Sequence, residues 1–267
     1  MQRLRPGLSI RERAPLACAE LLRVFLGRLH EPPATLLIGA GRATHLSLLA
    51  FKRATGAPVV VLMRPSLPYG CFDLCLVPEH DRPAPKGNVI LTRGALNRMR
   101  PGDKTPGEGL ILLGGPSKHF RWDDDRILTQ LRRLIAQDPR RWTLTTSRRT
   151  PASLLPALAQ LPGIELVPAG QTGPDWLPAR LASAELCWVS ADSVSMLFEA
   201  LSAGCAVGLL ELDAEPGSRV GAGVRQAIEQ GLATPMSHWQ GEALVAPAQR
   251  FNEAERCARL IEERLHL

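Results

Sequence analysis

A single tyrosine and six phenylalanines leave this chain of 267 residues with little aromatic surface for stacking nucleobases. Nucleic acid is therefore not an expected partner, although the net charge is +6. Long apolar runs are missing too, since none approaches the roughly 18 to 20 residues that cross a bilayer. The opening residues Met1-Gln2-Arg3-Leu4-Arg5-Pro6 lack the apolar stretch and small-residue cleavage site of a secretory signal. The expectation is a cytoplasmic protein with no transmembrane segment. Lysine is scarce as well: only Lys52, Lys86, Lys104 and Lys118 accompany 28 arginines, a usage that also fits a GC-rich genome.

Further absences narrow the chemistry. No G-x-x-x-x-G-K-[ST] occurs, which disfavours a P-loop hydrolase, and Gly39-Ala40-Gly41 lacks the third glycine of the dinucleotide fingerprint. No G-x-S-x-G elbow is present. The six cysteines (Cys18, Cys71, Cys75, Cys187, Cys205, Cys257) are scattered, mostly in or beside apolar runs, as reduced buried thiols are. Cys71 and Cys75 with His80 lack a matching second pair, so no metal ligand is assigned.

What is present describes an α/β protein of about two domains with an apolar fraction of 45%, enough for a sizeable core. Helical spacing is read over Pro15–Leu29, Ala43–Thr55, Asp124–Gln137, Pro151–Gln160, Asp175–Ser183 and residues 251–266. Strands are read over residues 35–39, 59–63, 72–77, 89–92, 110–113, 142–146, 164–167, 186–190 and 206–212. They are continuous apolar runs, the pattern of strands buried on both faces of a parallel sheet. Residues 101–109 (PGDKTPGEG) read as a linker because two prolines and three glycines fall in nine positions. That places an N-terminal Rossmann-like domain at 1–107 and a C-terminal one at 108–267, the last helix packing on either. The charge is split: residues 1–108 hold 16 Lys+Arg against 8 Asp+Glu, and residues 109–267 hold 16 against 18. The basic half suits an anionic lipid or a phosphorylated acceptor.

Ligands of open parallel sheets lie beyond the carboxyl ends of the strands. Three such segments share a character. Gly114-Gly115-Pro116-Ser117-Lys118-His119 combines close backbone approach with donors, Ser147-Arg148-Arg149 brings cations, and Asp192-Ser193-Val194-Ser195 opens a helix that carries Glu199. Asp192 or Ser193 is a suitable N-cap, and the amides behind it, at the positive end of the helix dipole, suit an anion. Together the set is chemistry for a diphosphate. Each element has a plain alternative: an ordinary turn at Gly114-Gly115, a solvated pair at Arg148 and Arg149, a surface histidine at His119, and a capped helix at Ser193.

These residues, with Phe120-Arg121-Trp122-Asp123, Thr150-Pro151 and Met196, resemble the family named for the plant mitochondrial-fission protein (elongated mitochondria) and its bacterial relatives. The resemblance spans roughly residues 34–235, with Gly41-Arg42-Ala43-Thr44, Phe72-Asp73-Leu74 and Pro78-Glu79-His80-Asp81 supporting it in the first half. That family in turn is similar to the GT-B glycosyltransferases, whose two Rossmann-like domains face a crevice. The resemblance implies that Gly114, Gly115 and Ser117 approach a nucleotide-sugar diphosphate, Ser193 to Ser195 cap it, and Glu199 takes ribose hydrogen bonds. It departs in two places. The family's usual first strand and D-G-x-x-G-x-x-Q-like loop are not matched, giving a first domain shortened at its N-terminus, and Gly-Lys-Pro-Val is replaced by Gly204-Cys205-Ala206-Val207.

The resulting expectation is a cytoplasmic, metal-independent glycosyltransferase, with any membrane association peripheral and at the inner membrane, that uses no cofactor and takes a nucleotide-diphosphate sugar as donor substrate. It would act on a cell-envelope, anionic or lipid-linked acceptor, with Arg42 and Arg64 as contacts and His45 as candidate base. The alternatives are a non-catalytic interaction protein with a GT-B-like fold, and a nucleotide-sugar epimerase using Asp192 and Glu199.

Overall fold

The computed structural model of the protein describes residues 11–25 and 32–267. Contacts divide the chain into two compact units. The first comprises Met1–Val77, Pro83–Leu91 and Leu260–Leu267; the second comprises Pro78–Arg82 and Thr92–Arg259.

The first unit holds α1 (Cys18–Phe25), β1 (Leu37–Ala40), α2 (His45–Thr55), β2 (Val59–Leu62), β3 (Leu74–Pro78) and β4 (Val89–Thr92). The sheet order is β1-β2-β3-β4, with β1, β2 and β3 parallel. Val59, Val61, Cys75 and Val77 pack with Leu48 of α2 in one apolar cluster. Gly39 permits this contact, since a Cβ there would meet the Leu48 side chain at 2.6 Å. Gly56 ends α2 in a left-handed conformation (φ 73°), its N–H donating to Lys52 O at 2.8 Å. Asp73 accepts from Val59 N at 2.7 Å and from Lys52 Nζ at 2.7 Å, tying the start of β2 to α2. Burial would raise the Asp73 pKa, but these donors hold it below its usual value.

The second unit is larger: β5 (Thr105–Leu112), β6 (Phe120–Arg121), α3 (Asp124–Gln137), β7 (Arg141–Thr145), α4 (Leu155–Ala159), β8 (Ile164–Val167), α5 (Trp176–Ser183), β9 (Ala184–Ser190), α6 (Val194–Ser202), β10 (Ala206–Leu210), β11 (Asp213–Ala214), α7 (Arg219–Glu229), β12 (Thr234–Pro235) and, of α8 (Glu253–Leu265), the part up to Arg259. The main sheet runs β12-β10-β9-β5-β7-β8, every pair parallel. Strands β11 and β6 form a separate antiparallel pair. Helix α3 illustrates the local logic. Asp123 caps it by accepting from Arg126 N at 2.9 Å, Asp124 and Asp125 complement the dipole, and Ile127, Leu131 and Leu134 form the buried stripe. Trp142, Trp188 and Trp239 are the largest fully buried side chains.

Several elements differ from the sequence reading. The linker assigned to residues 101–109 contains the first half of β5, because the register against β9 shifts between Thr105 and Gly109 and that irregularity accommodates Pro106 and Gly107 (φ 77°). Contacts divide the chain at Leu91/Thr92, ahead of that segment, and the last helix is shared at Arg259/Leu260. Helix α7 is an addition; Gly221 and Gly223 lower its intrinsic propensity. Helix α1 begins at Cys18 instead of Pro15, and the remainder of the predicted Pro15–Leu29 helix beyond Phe25 lies outside the described residues. No helix among the described residues is long and apolar enough to cross a membrane.

Candidate functional site

In the second unit, the ends of the adjacent strands β7, β5 and β9 bring the three predicted segments together. The link between them is Asp192. Its carboxylate, fully buried, accepts from Gly115 N at 3.0 Å, Ser190 Oγ at 2.6 Å and Arg149 Nη2 at 2.9 Å. Ser190 Oγ also accepts from Gly114 N at 2.7 Å. Arg149 is held further by the carbonyls of Gly115 (2.7 Å) and Pro116 (3.2 Å). Ser147 donates to Gly114 O at 2.8 Å, and Thr150 donates to the same carbonyl.

This geometry revises the expectation for the glycine pair. Both amides already have side-chain acceptors within the fold. The missing side chains admit neighbouring protein atoms: a Cβ on Gly114 would overlap the Asp192 carboxylate, and one on Gly115 would overlap the Arg149 carbonyl. Asp192 likewise does not cap α6, because its oxygens are engaged across the strand ends. Ser193 occupies the N-cap position without a side-chain capping bond.

Helix α6 therefore begins with open donors. Among the described residues, the N–H groups of Val194, Ser195 and Met196 have no protein acceptor, while Leu197 N bonds Ser193 O at 3.2 Å. Ser195 is exposed, and Ser193, Val194 and Met196 are half-buried. Four residues beyond Ser195, on the same helix face, Glu199 is half-buried and has no hydrogen-bond partner among the described residues. Burial raises its pKa, opposed by the nearby Arg98 guanidinium. Arg98 is itself held by Pro174 O and by Asp175 at 3.3 Å. The segment before it is packed on α6, where Asn97 Nδ2 donates to Phe198 O at 3.2 Å and Ser202 Oγ at 3.1 Å.

The flanking loops supply cations. Lys118 and Arg148 are exposed, without ion pairs among the described residues. Ser117 Oγ accepts from His119 N at 3.2 Å. His119 Nδ1 lies 3.5 Å from Ser218 Oγ, the N-cap of α7, which accepts from Gly221 N at 3.0 Å.

His45 belongs to the first unit, not to this cluster. Only 2% of it is exposed; Nδ1 lies 3.0 Å from Ser66 Oγ and the ring packs against Phe72 at 5.4 Å. Burial lowers its pKa. This is a packed, hydrogen-bonded ring, which explains its position without a proton-transfer role. Sequence reasoning missed Ser190 and Thr150 as organisers of the loops; the signal for Ser190 was a hydroxyl closing an otherwise apolar strand.

The fold is similar to two solved sugar-nucleotide enzymes. A protein of Listeria monocytogenes assigned as a UDP-N-acetylglucosamine 2-epimerase aligns with a TM-score of 0.51 and 12% identity, over 99% of this chain and 76% of that one. The UDP-GlcNAc 2-epimerase of Methanocaldococcus jannaschii aligns with a TM-score of 0.50 and 12% identity, over 92% and 80% respectively. At this identity the likeness establishes the fold, a Rossmann-like two-sheet architecture of GT-B type. No protein with a curated description matches the chain in sequence. The family model described as Mitochondrial fission ELM1 matches residues 3–265, and with the strand-end segments in the order and spacing seen above, the chain belongs to that family.

Proposed function

We propose that the second unit binds a nucleoside-diphosphate sugar and that the protein transfers the sugar to an acceptor hydroxyl. The observation that carries this reading is the face of α6, where three open amides at the helix start lie one turn from an unpartnered, half-buried Glu199. Helix-terminal amides match a diphosphate, and a carboxylate at that spacing matches vicinal ribose hydroxyls. Lys118, Arg148 and His119, with the Ser117, Ser193 and Ser195 hydroxyls, are the further donors. Gly114, Gly115, Ser147, Arg149 and Asp192 act behind them, as the braced frame that holds the loops.

In transfer, the bond from the sugar's anomeric carbon to the diphosphate oxygen breaks, a bond to the acceptor oxygen forms, and the acceptor proton passes to a base. Charge developing on the leaving diphosphate is stabilised by the α6 amides and the loop cations. Asp192 is fully buried with its oxygens taken by three donors of the fold, so it presents no carboxyl to a substrate, as epimerisation would ask. The acceptor class we favour is anionic or lipid-linked, on the charge asymmetry of the sequence.

A second reading, a binding protein without turnover, is favoured by one observation: the candidate base His45 is packed against Phe72 and bonded to Ser66. Calorimetric titration with UDP-, GDP-, ADP- and CMP-linked sugars tests both. Selective binding of one donor, lost in Glu199→Ala, supports the site; slow hydrolysis of that donor supports transfer over binding alone. Absence of binding at millimolar donor rejects the proposed site.

A further inference from the structure

The chain's net charge is confined to one part of it. Residues 78–82 and 92–259, the second unit, balance 20 Lys+Arg against 20 Asp+Glu, and the remaining residues hold 12 against 6, the whole of the +6. Exposed apolar side chains follow the same division. Among the described residues, Ile38, Leu46, Met63 and Leu91 of the first unit are four of the five large apolar side chains that are exposed.

Two of these share a rim. Register pairs Ala40 with Leu62, so Met63, the next residue, falls beside the turn Gly41-Arg42 that follows β1. That turn leads into α2, whose first turn carries Leu46, 53% exposed. Arg42 and Arg64 are exposed in the same two loops. Ile38, also 53% exposed, points with Ala40 to the face of edge strand β1 opposite Gly39 and α2. Met63 has a second peculiarity: its φ is 74°, a left-handed backbone that a methionine adopts at a cost, with its N–H fixed on Leu76 O at 2.8 Å. Holding a flexible apolar side chain outward on a strained residue is a feature of binding rims.

We propose that this rim, Leu46 and Met63 between Arg42 and Arg64, docks the protein on an anionic lipid bilayer. Apolar side chains inserted at the headgroup boundary and arginines facing acidic lipid are the two contributions that hold peripheral proteins on membranes, and neither suffices alone. A second copy of the chain fits less well, because it would bring two basic surfaces together. The inference rests on the proposed lipid-linked acceptor only for its purpose: the docking itself is read without any nucleotide.

The test is co-sedimentation of the full chain with phosphatidylcholine vesicles, with and without a large fraction of phosphatidylglycerol. The protein is expected to sediment with the acidic vesicles alone and to be released by high salt. Leu46→Asp with Met63→Asp should weaken that binding about tenfold, both sites being exposed and aspartate tolerating a left-handed backbone. Arg42→Glu should weaken it several-fold, whereas Arg132→Glu, the same charge change on α3 of the second unit, should leave it within about twofold. Equal binding to neutral vesicles, unchanged binding by the double variant, or equal losses from Arg42→Glu and Arg132→Glu would overturn the proposal. No sedimentation with either vesicle would overturn it too, and would point to a protein partner for the rim. Donor titration of the double variant reads the second unit separately, so the two proposals fail independently.

Discussion

The Asp192 carboxylate accepts the Gly115 amide at 3.0 Å while lying against a glycine, Gly114, whose Cβ it would exclude. This pair joins the loops after β5 and β9, and Arg149 ties in the loop after β7. Each partner is then specific. Gly115→Ala has backbone, not a flexible side chain, in the way, so it should destabilise the protein by about 1 to 3 kcal/mol. Asp192→Ala leaves the buried Gly115 amide and Ser190 hydroxyl without their acceptor and removes the Arg149 ion pair, and should cost about 2 to 4 kcal/mol. Urea unfolding of both variants checks this. A loss of donor binding with wild-type stability would instead mean that these groups face the ligand.

Glu199 should show opposite effects on stability and binding. Burial raises its pKa, so its ionised form is disfavoured in the native state; stability is greatest below the ordinary value of 4.5 and falls as pH rises through the raised one. Glu199→Gln is therefore expected to melt at or above the wild-type temperature at pH 7. The same change should weaken nucleotide-sugar binding by about 1 to 3 kcal/mol, through loss of a charged hydrogen bond. Paired melting and calorimetric experiments would separate this from a structural carboxylate, whose removal lowers the melting temperature.

How legible was the site? The parallel-sheet class was readable because Val59 to Leu62, Leu110 to Leu113 and Leu186 to Val189 are apolar without alternation. The three strand-end segments were readable because hydroxyls, cations and glycines follow those runs directly. Which groups face outward was not, because it depends on partners far apart in sequence: Gly114 with Ser190, and Gly115 with Asp192, are separated by 76 and 77 positions. A glycine pair that admits a carboxylate looks the same in sequence as one that admits a phosphate. His45 posed the same problem, since nothing local announces the Ser66 hydroxyl or the Phe72 ring. Helix α7 was hidden by Gly221 and Gly223, which serve packing: a Cβ on Gly221 would meet Ala214 at 2.8 Å, and one on Gly223 would meet His80 at 3.2 Å.

Lys104 lies in a segment read as a linker, yet its ammonium donates to Leu181 O at 3.1 Å and Ala203 O at 2.8 Å. These carbonyls close α5 and α6, where a cation complements the helix dipole. Lys104→Met keeps the stem and removes the charge, so it should lower unfolding stability by about 1 to 2 kcal/mol. Because α6 carries Glu199, donor affinity should fall by a smaller factor than in Glu199→Ala. An unchanged urea midpoint would show that the ammonium adds nothing to the folded state.

Glu253 predicts the acid limit of the second unit. It is 3% exposed at the start of α8, and although burial alone would raise its pKa, Arg256 at 2.7 Å and the Arg93 amide and side chain at 3.0 and 3.1 Å hold it below 4.5. The folded state therefore binds this proton more weakly than the unfolded chain. Stability from the group is fully present above 4.5 and disappears as pH falls through the lower folded value. Glu253→Gln removes the charge and its ion pairs with Arg93 and Arg256, both more than a third exposed, so at pH 7 it should cost about 1 to 3 kcal/mol. The variant and wild type should converge as the pH drops below the ordinary glutamate value, because protonation removes the same ion pairs from the wild type. Urea midpoints taken across that range check the sign: a gap that stays constant from neutral to acid pH would show that Glu253 acts through packing and not through its charge.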